Sequence, residues 1–192
     1  MTALLDVLAR ERAAVLALLD AMTPAQRAFR PAPDAWSPAD VADHLAKAES
    51  GQIEIVRRQV AAPRPLGRPS AGRRWLVERL MRSGLRVRMP AAVAPRIAPT
   101  GVAFDVSRSA LAAAAEGWHA LAATYPPAMA EAGVFTHPVA GPLTLRGTVC
   151  FAAAHLDHHR RQLERIRRAP GYPADDDLTG AASATPARRG RP

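Results

Sequence analysis

Apolar residues recur at spacings of three and four along most of this 192-residue chain, and alanine and leucine dominate those positions. Such a period matches the face of an α-helix, where residues three and four apart are neighbours. Alternating β-branched and aromatic runs, which a half-buried strand needs, are absent, and Phe, Trp and Tyr total 5%. The pattern therefore predicts an all-α fold. Hydrophobic residues make up 48% of the chain, enough for a core without disulfide staples, so wholesale disorder is excluded. No apolar run reaches the length of a membrane span, and Asp6, Arg10, Glu11 and Arg12 interrupt any leader-like segment. The single cysteine, Cys150, has no internal partner and fits a reducing, cytoplasmic setting.

Start and stop signals divide the pattern into four helices. The first is expected from Thr2, as N-cap, to Met22, with Glu11 and Arg12 facing water and Thr23-Pro24 opening a turn. The second begins at Ser37, with Pro38 at the first helical position and Asp40 three residues after the cap, and runs to Val60. Trp36, just before that cap, is placed to fold back on the helix. The third is expected from Ser107 or Ser109 to Thr124. The fourth is capped by Thr144 and runs to Arg168, with Arg165, Arg167 and Arg168 in its negative last turn. Ala112 to Ala115 offer a narrow face for a close helix contact, and 136–143 reads as a loop.

Between the second and third helices lies a long Arg/Pro-rich crossover, residues 61–100, with six prolines and one short basic amphipathic helix at 73–82. Arg57 to Arg96 hold eleven arginines against one acid, Glu78, in a chain of net charge +9. The run reads either as a solvated connector or as a patch for phosphates or an anionic surface. With Trp75 its single tryptophan and no interleaved aromatic ladder, nucleic acid is a poor fit. Residues 170–192 read as a disordered, dispensable tail after the domain at 1–169.

The candidate chemistry lies in the histidines, at 44, 119, 137, 155, 158 and 159. His155 and His159 are four apart, so their rings share one helix face and can chelate an ion from one side. With His155 at zero on the helical wheel, His159 falls at about 40°, Leu163 at about 80° and Leu156 at about 100°. The pair thus lies on the apolar half, with His158 at its margin and Asp157 and Arg160 pointing outward. A histidine on an apolar face is ordinarily a satisfied core residue, but two at chelating spacing point toward metal. A third ligand is sought in His44, which shares a face with Val41, Ala48 and Ile55, then in His119, then in His137. Asp40 reads as the helix cap or as a group orienting His44. Cys150, at about 140° from His155, reads as a small core residue rather than a nucleophile.

Two segments carry a resemblance. Trp36-Ser37-Pro38 through His44-Leu45 to Glu49 is similar to the Trp-Ser…His-Leu segment of the DinB/YfiT-like superfamily. His137-Pro138-Val139-Ala140-Gly141, followed by His155-x-x-x-His159-x-x-Gln162, resembles that family's HP-x-x-G loop and final helix. The resemblance spans about 1–168 and implies a four-helix bundle with a long crossover between helices two and three. It also implies one divalent metal ion on His44, His155 and His159, of an identity such as zinc, nickel or iron. Characterised relatives include thiol S-transferases that use bacillithiol and mycothiol, and a mycothiol-dependent maleylpyruvate isomerase. The resemblance therefore points to a metal-dependent transferase or hydrolase acting on a small molecule, with a low-molecular-weight thiol as one candidate. A homodimer is compatible with it. The competing reading is a non-enzymatic module whose basic 61–100 segment contacts nucleic acid or an acidic partner.

Overall fold

The computed structural model describes residues 1–83 and 94–174. Four long helices form a bundle: α1 (Thr2–Asp20), α3 (Pro38–Ala61), α6 (Phe104–Thr124) and α7 (Leu145–Arg167). Around the bundle axis α1 packs on α7, α7 on α3, α3 on α6 and α6 back on α1. α1 and α3 thus sit diagonally. The core is built from the expected stripes, including Leu8, Val15 and Leu19 of α1, Val41, Leu45 and Val56 of α3, and Leu156 and Leu163 of α7. At one point the α3–α6 contact is set by a glycine. A Cβ on Gly117 would stand 2.9 Å from Ile53 Cδ1, so the two helices come close there, and Ala114 of the Ala112 to Ala115 face is buried in the core.

The helix starts follow local hydrogen bonding. Ser37 Oγ accepts from the Asp40 amide, and Asp40 Oδ2 accepts from the Ser37 amide at 2.8 Å, a complete capping box. Thr144 caps α7 by accepting from the Gly147 amide. The turn after α1 is itself a short helix, α2 (Pro24–Ala28), closed by a capping box of Thr23 and Gln26. Two expected caps are not used. α1 is capped at Met1 without a side-chain bond, and α6 starts at Phe104, leaving Ser107 buried inside it. At the second of these, Phe104 packs against the core as the first residue of α6.

The crossover between α3 and α6 carries α4 (Ala71–Arg82) and the single turn α5 (Ala94–Ile97). α4 lies on the outer side of α7. There Val77 and Met81 join Ala140, Leu143, Phe151 and Ala154 in a second small apolar cluster. Residues 136–143 are not a plain loop: β1 (Phe135–His137) pairs antiparallel with β2 (Gly141–Leu143), His137 opposite Gly141. Gly141 has φ +72°, a conformation that glycine adopts without strain. Arg146, Gly147 and the following turns of α7 are therefore flanked on one side by the bundle and on the other by α4 and the hairpin.

Three residues depart from the wheel, and the double cover of α7 accounts for the first. Asp157 is buried, not outward, and bonds Arg160 and Arg161. Arg12, expected in water, is 3% exposed, because its guanidinium crosses the core to Glu49. Ile55, expected on the His44 face, is 41% exposed, and Ile53 and Val56 take the core positions instead. Past Arg167 the chain continues against the bundle as far as 174. Tyr172 packs edge-on against Phe29 at 5.5 Å, and Gln26 Nε2 donates to the Pro173 carbonyl at 2.9 Å. The remainder of the expected tail, 175–192, lies outside the described residues, as does the 84–93 part of the crossover.

Candidate metal centre

α3 and α7 each present histidine to the other across the bundle. His44 Nε2 and His159 Nε2 both lie 3.1 Å from His155 Nε2. The three ligand-capable nitrogens all fall within 4.8 Å of one another. His44 and His159 are buried, and His155 is half-buried. Of the candidates for a third partner to the α7 pair, the structure brings in His44. His119 is exposed on α6, one residue past the buried Trp118. His137 is buried in the hairpin with Nδ1 accepting from the Val139 and Ala140 amides, at 3.1 and 3.0 Å. Phe151 stands between it and the cluster, with its ring 4.4 Å from His137 and 5.6 Å from His155. His158 points the other way and donates from Nδ1 to the Met81 carbonyl of α4 at 3.2 Å.

The outer nitrogens fix the tautomers. His44 Nδ1–H donates to the Ile97 carbonyl at 2.8 Å, and His159 Nδ1–H donates to Gln162 Oε1 at 2.8 Å. In the neutral rings that leaves both Nε2 atoms as lone-pair acceptors aimed inward. At most one hydrogen, on His155, is then available for two facing lone pairs. Burial is the main reason the three rings stay neutral. It drives His44 down to about 4, and His155 and His159 well below the ordinary histidine value, with mutual repulsion adding to it. A compact set of neutral imidazoles with converging lone pairs is the donor set that a borderline divalent cation takes.

Other side chains shape rather than join the cluster. Trp36 stands 4.9 Å from His44 and stacks on His159 at 6.2 Å, so the residue before the cap covers the histidines. Asp40 serves the cap and Arg30, at 2.7 Å, and not His44. The group orienting His44 comes from the crossover, held by a polar tether. Asp43 accepts from the Thr100 amide at 2.7 Å and pairs with Lys47, whose Nζ also donates to the Ala98 carbonyl and Thr100 Oγ1. Gln162 stands in the His155-x-x-x-His159-x-x-Gln162 motif, and its i+3 spacing to His159 puts it within reach of that ring. The Ile97 carbonyl is a backbone group and carries no side-chain signal. Cys150 lies apart from the cluster, and burial pushes its thiol up, with Glu78 adding to the shift.

A helical bundle with a long crossover and a histidine triad between facing helices defines a class of bundle proteins whose sites lie in the core. The chain belongs to the DinB superfamily, whose family model matches residues 8–163. It is also similar to a solved structure, YfiT from Bacillus subtilis, described as a probable metal-dependent hydrolase with an unusual four-helix bundle topology. The identity is 20% and the TM-score 0.61, over 90% of this chain and 88% of that one, a likeness of fold. No curated protein matches the sequence.

Proposed function

We propose that this protein is a metal-dependent hydrolase of a small molecule, with one divalent ion held by His44, His155 and His159. The observation that supports the reading is the convergence of three Nε2 atoms, two of them fixed as acceptors by Nδ1–H bonds to Ile97 and Gln162. Three imidazoles would leave a coordination position for water or substrate, and His155 is the partly exposed member of the set. A divalent ion there would polarise a substrate carbonyl and lower the pKa of a coordinated water or thiol.

The chain's own groups set the rest. Ile97 and Gln162 hold two rings in orientation, and Trp36 and Phe151 wall the site with aromatic surface. The carboxylates on α3 and α7 near the cluster in sequence are committed elsewhere: Asp40 to the cap, Asp43 to Lys47, Glu49 to Arg12 and Asp157 to Arg160. No dedicated carboxylate base is therefore part of the proposal. The chain's likeness of fold to YfiT, described as a probable metal-dependent hydrolase, supports hydrolysis over thiol transfer. A cytoplasmic setting belongs to the same proposal.

Elemental analysis of protein purified on a cation exchanger, without a nickel column, should find one equivalent of a divalent metal. Chelation should abolish cleavage across a panel of small esters and amides, and the same ion should restore it. The His44→Ala, His155→Ala, His159→Ala triple variant should carry no metal. Retention of a full equivalent by that variant sinks the site. Metal-dependent consumption of a thiol with an electrophile, without hydrolysis of any panel member, would replace hydrolysis with S-transfer.

A further inference from the structure

α4 has apolar side chains on two flanks, and the bundle uses one of them. Val77 and Met81 are seated on α7. Trp75 and Leu76, each 58% exposed, and Leu80, 37% exposed, project from the other side. At helical spacing Trp75, Leu76 and Leu80 span about 140° of the wheel, with Arg82 and Arg79 beside Trp75 and Arg73 at the far edge. These three arginines are exposed, and the Arg79 guanidinium stands 5.5 Å over the Trp75 ring. Across residues 57–82 eight arginines face one acid, Glu78, which is half-buried beside Arg74.

We propose that this outer face of α4 docks on an anionic lipid surface, with Trp75, Leu76 and Leu80 entering the headgroup–acyl boundary and Arg73, Arg79 and Arg82 meeting phosphates. The charge balance selects the partner. A second copy on the same face would bring these three arginines against their own equivalents, so self-association there is opposed. A polynucleotide would pair with the arginines and could stack on Trp75, but it offers nothing to Leu76 and Leu80. An anionic bilayer satisfies both halves, since an indole and leucines favour the interface while arginines reach the headgroups. None of the described helices is long and apolar enough to cross a membrane, so the contact is peripheral. The inference does not rest on the metal site.

Flotation of the full-length protein with vesicles tests it. Phosphatidylcholine containing about 30% phosphatidylglycerol should retain the protein at least ten-fold better than phosphatidylcholine alone, with the difference shrinking as salt rises from about 0.05 to 0.5 M. The W75S/L76S/L80S variant should lose at least ten-fold of that binding while its thermal midpoint holds, because those side chains leave the core untouched. The R73Q/R79Q/R82Q variant should lose a comparable amount. Equal binding to neutral and anionic vesicles overturns the proposal, as does full binding by the serine variant. So does a wild-type dimer that becomes monomeric in the serine variant, or binding to double-stranded DNA with none to vesicles.

Discussion

Two buried polar clusters sit five residues apart on α3, and they are built on opposite principles. Around Glu49 everything is closed. Arg12 Nη2 donates to Oε2 at 2.6 Å and Nε to Oε1 at 3.3 Å, and Trp118 Nε1 donates to Oε2 at 2.9 Å. One negative group meets one positive group, and donors match acceptors. Around His44 the reverse holds: three neutral rings turn lone pairs toward one point, and the hydrogens point outward to Ile97 and Gln162. The Glu49 cluster needs nothing from outside the chain. The His44 cluster has an acceptor excess that a cation would relieve, which is why it is the proposed metal site. Burial alone would not have separated the two, since Glu49 and His44 are both at most 2% exposed.

The largest effect is expected at the closed cluster. Glu49→Ala leaves Arg12 buried without its counter-charge and Trp118 without an acceptor, at a cost of about 3–5 kcal/mol. For a domain of this size that lowers the thermal midpoint by roughly 6–20 °C. Arg12→Met combined with Glu49→Leu should recover most of the loss, because the charge and its partner leave together. A double variant as unstable as Glu49→Ala would mean that the pair contributes more than the removal of a lone charge explains.

Acid should separate the clusters next. His44 and His137 are both held by burial at about 4, below the 6.5 of an unfolded histidine. Between those values the unfolded chain takes up protons that the folded chain refuses, so stability falls as pH drops from about 6.5 to about 4 and then levels for these two groups. The metal-free protein should show this in urea midpoints taken across that window, and His44→Asn should flatten the slope. An unchanged slope in that variant would put the acid sensitivity elsewhere.

How much of this was legible differs between the two clusters for a physical reason. The α7 pair was visible because i, i+4 spacing places two rings on one face whatever surrounds the helix, and His44 followed from its apolar neighbours Val41 and Ala48. Arg12 was misplaced because a helical wheel reports direction and not reach: its long side chain spans the bundle diagonal to an acid on a different helix. Asp157 was misplaced because α4 covers a side of α7 that the four-helix pattern leaves open. The β1–β2 pair was hidden in a proline-rich stretch whose strands are three residues each, too short to show a period. The Asp43–Lys47 tether needed the crossover's path, which composition does not encode.

That tether gives a smaller, sharper comparison. Lys47→Met removes the bonds to the Ala98 carbonyl and Thr100 Oγ1, leaves the Thr100 amide on Asp43, and so loosens the carbonyl that orients His44 while keeping all three histidines in place. Metal affinity should weaken by about 10- to 100-fold, the usual range for losing a ligand's supporting bond. Competition with a chromogenic chelator reads this directly. Wild-type affinity would show that Ile97 is held without Lys47.

The smallest effect is expected where sequence proximity is most misleading. His158 adjoins His159, with ring centres 5.1 Å apart, yet its Nδ1–H is given to the Met81 carbonyl. His158→Ala should therefore keep the full metal equivalent and the chelator affinity of the wild type. It removes a single hydrogen bond tying α7 to the end of α4, worth about 0.5–1.5 kcal/mol, and leaves the Met81 carbonyl to find water or another donor. Hydrogen exchange should quicken over α4 while α3 and the bundle side of α7 stay protected, since the loss falls on the small Val77–Met81 cluster and not on the main core. A fall in metal affinity comparable to that of Lys47→Met would move His158 from the α4 contact into the site.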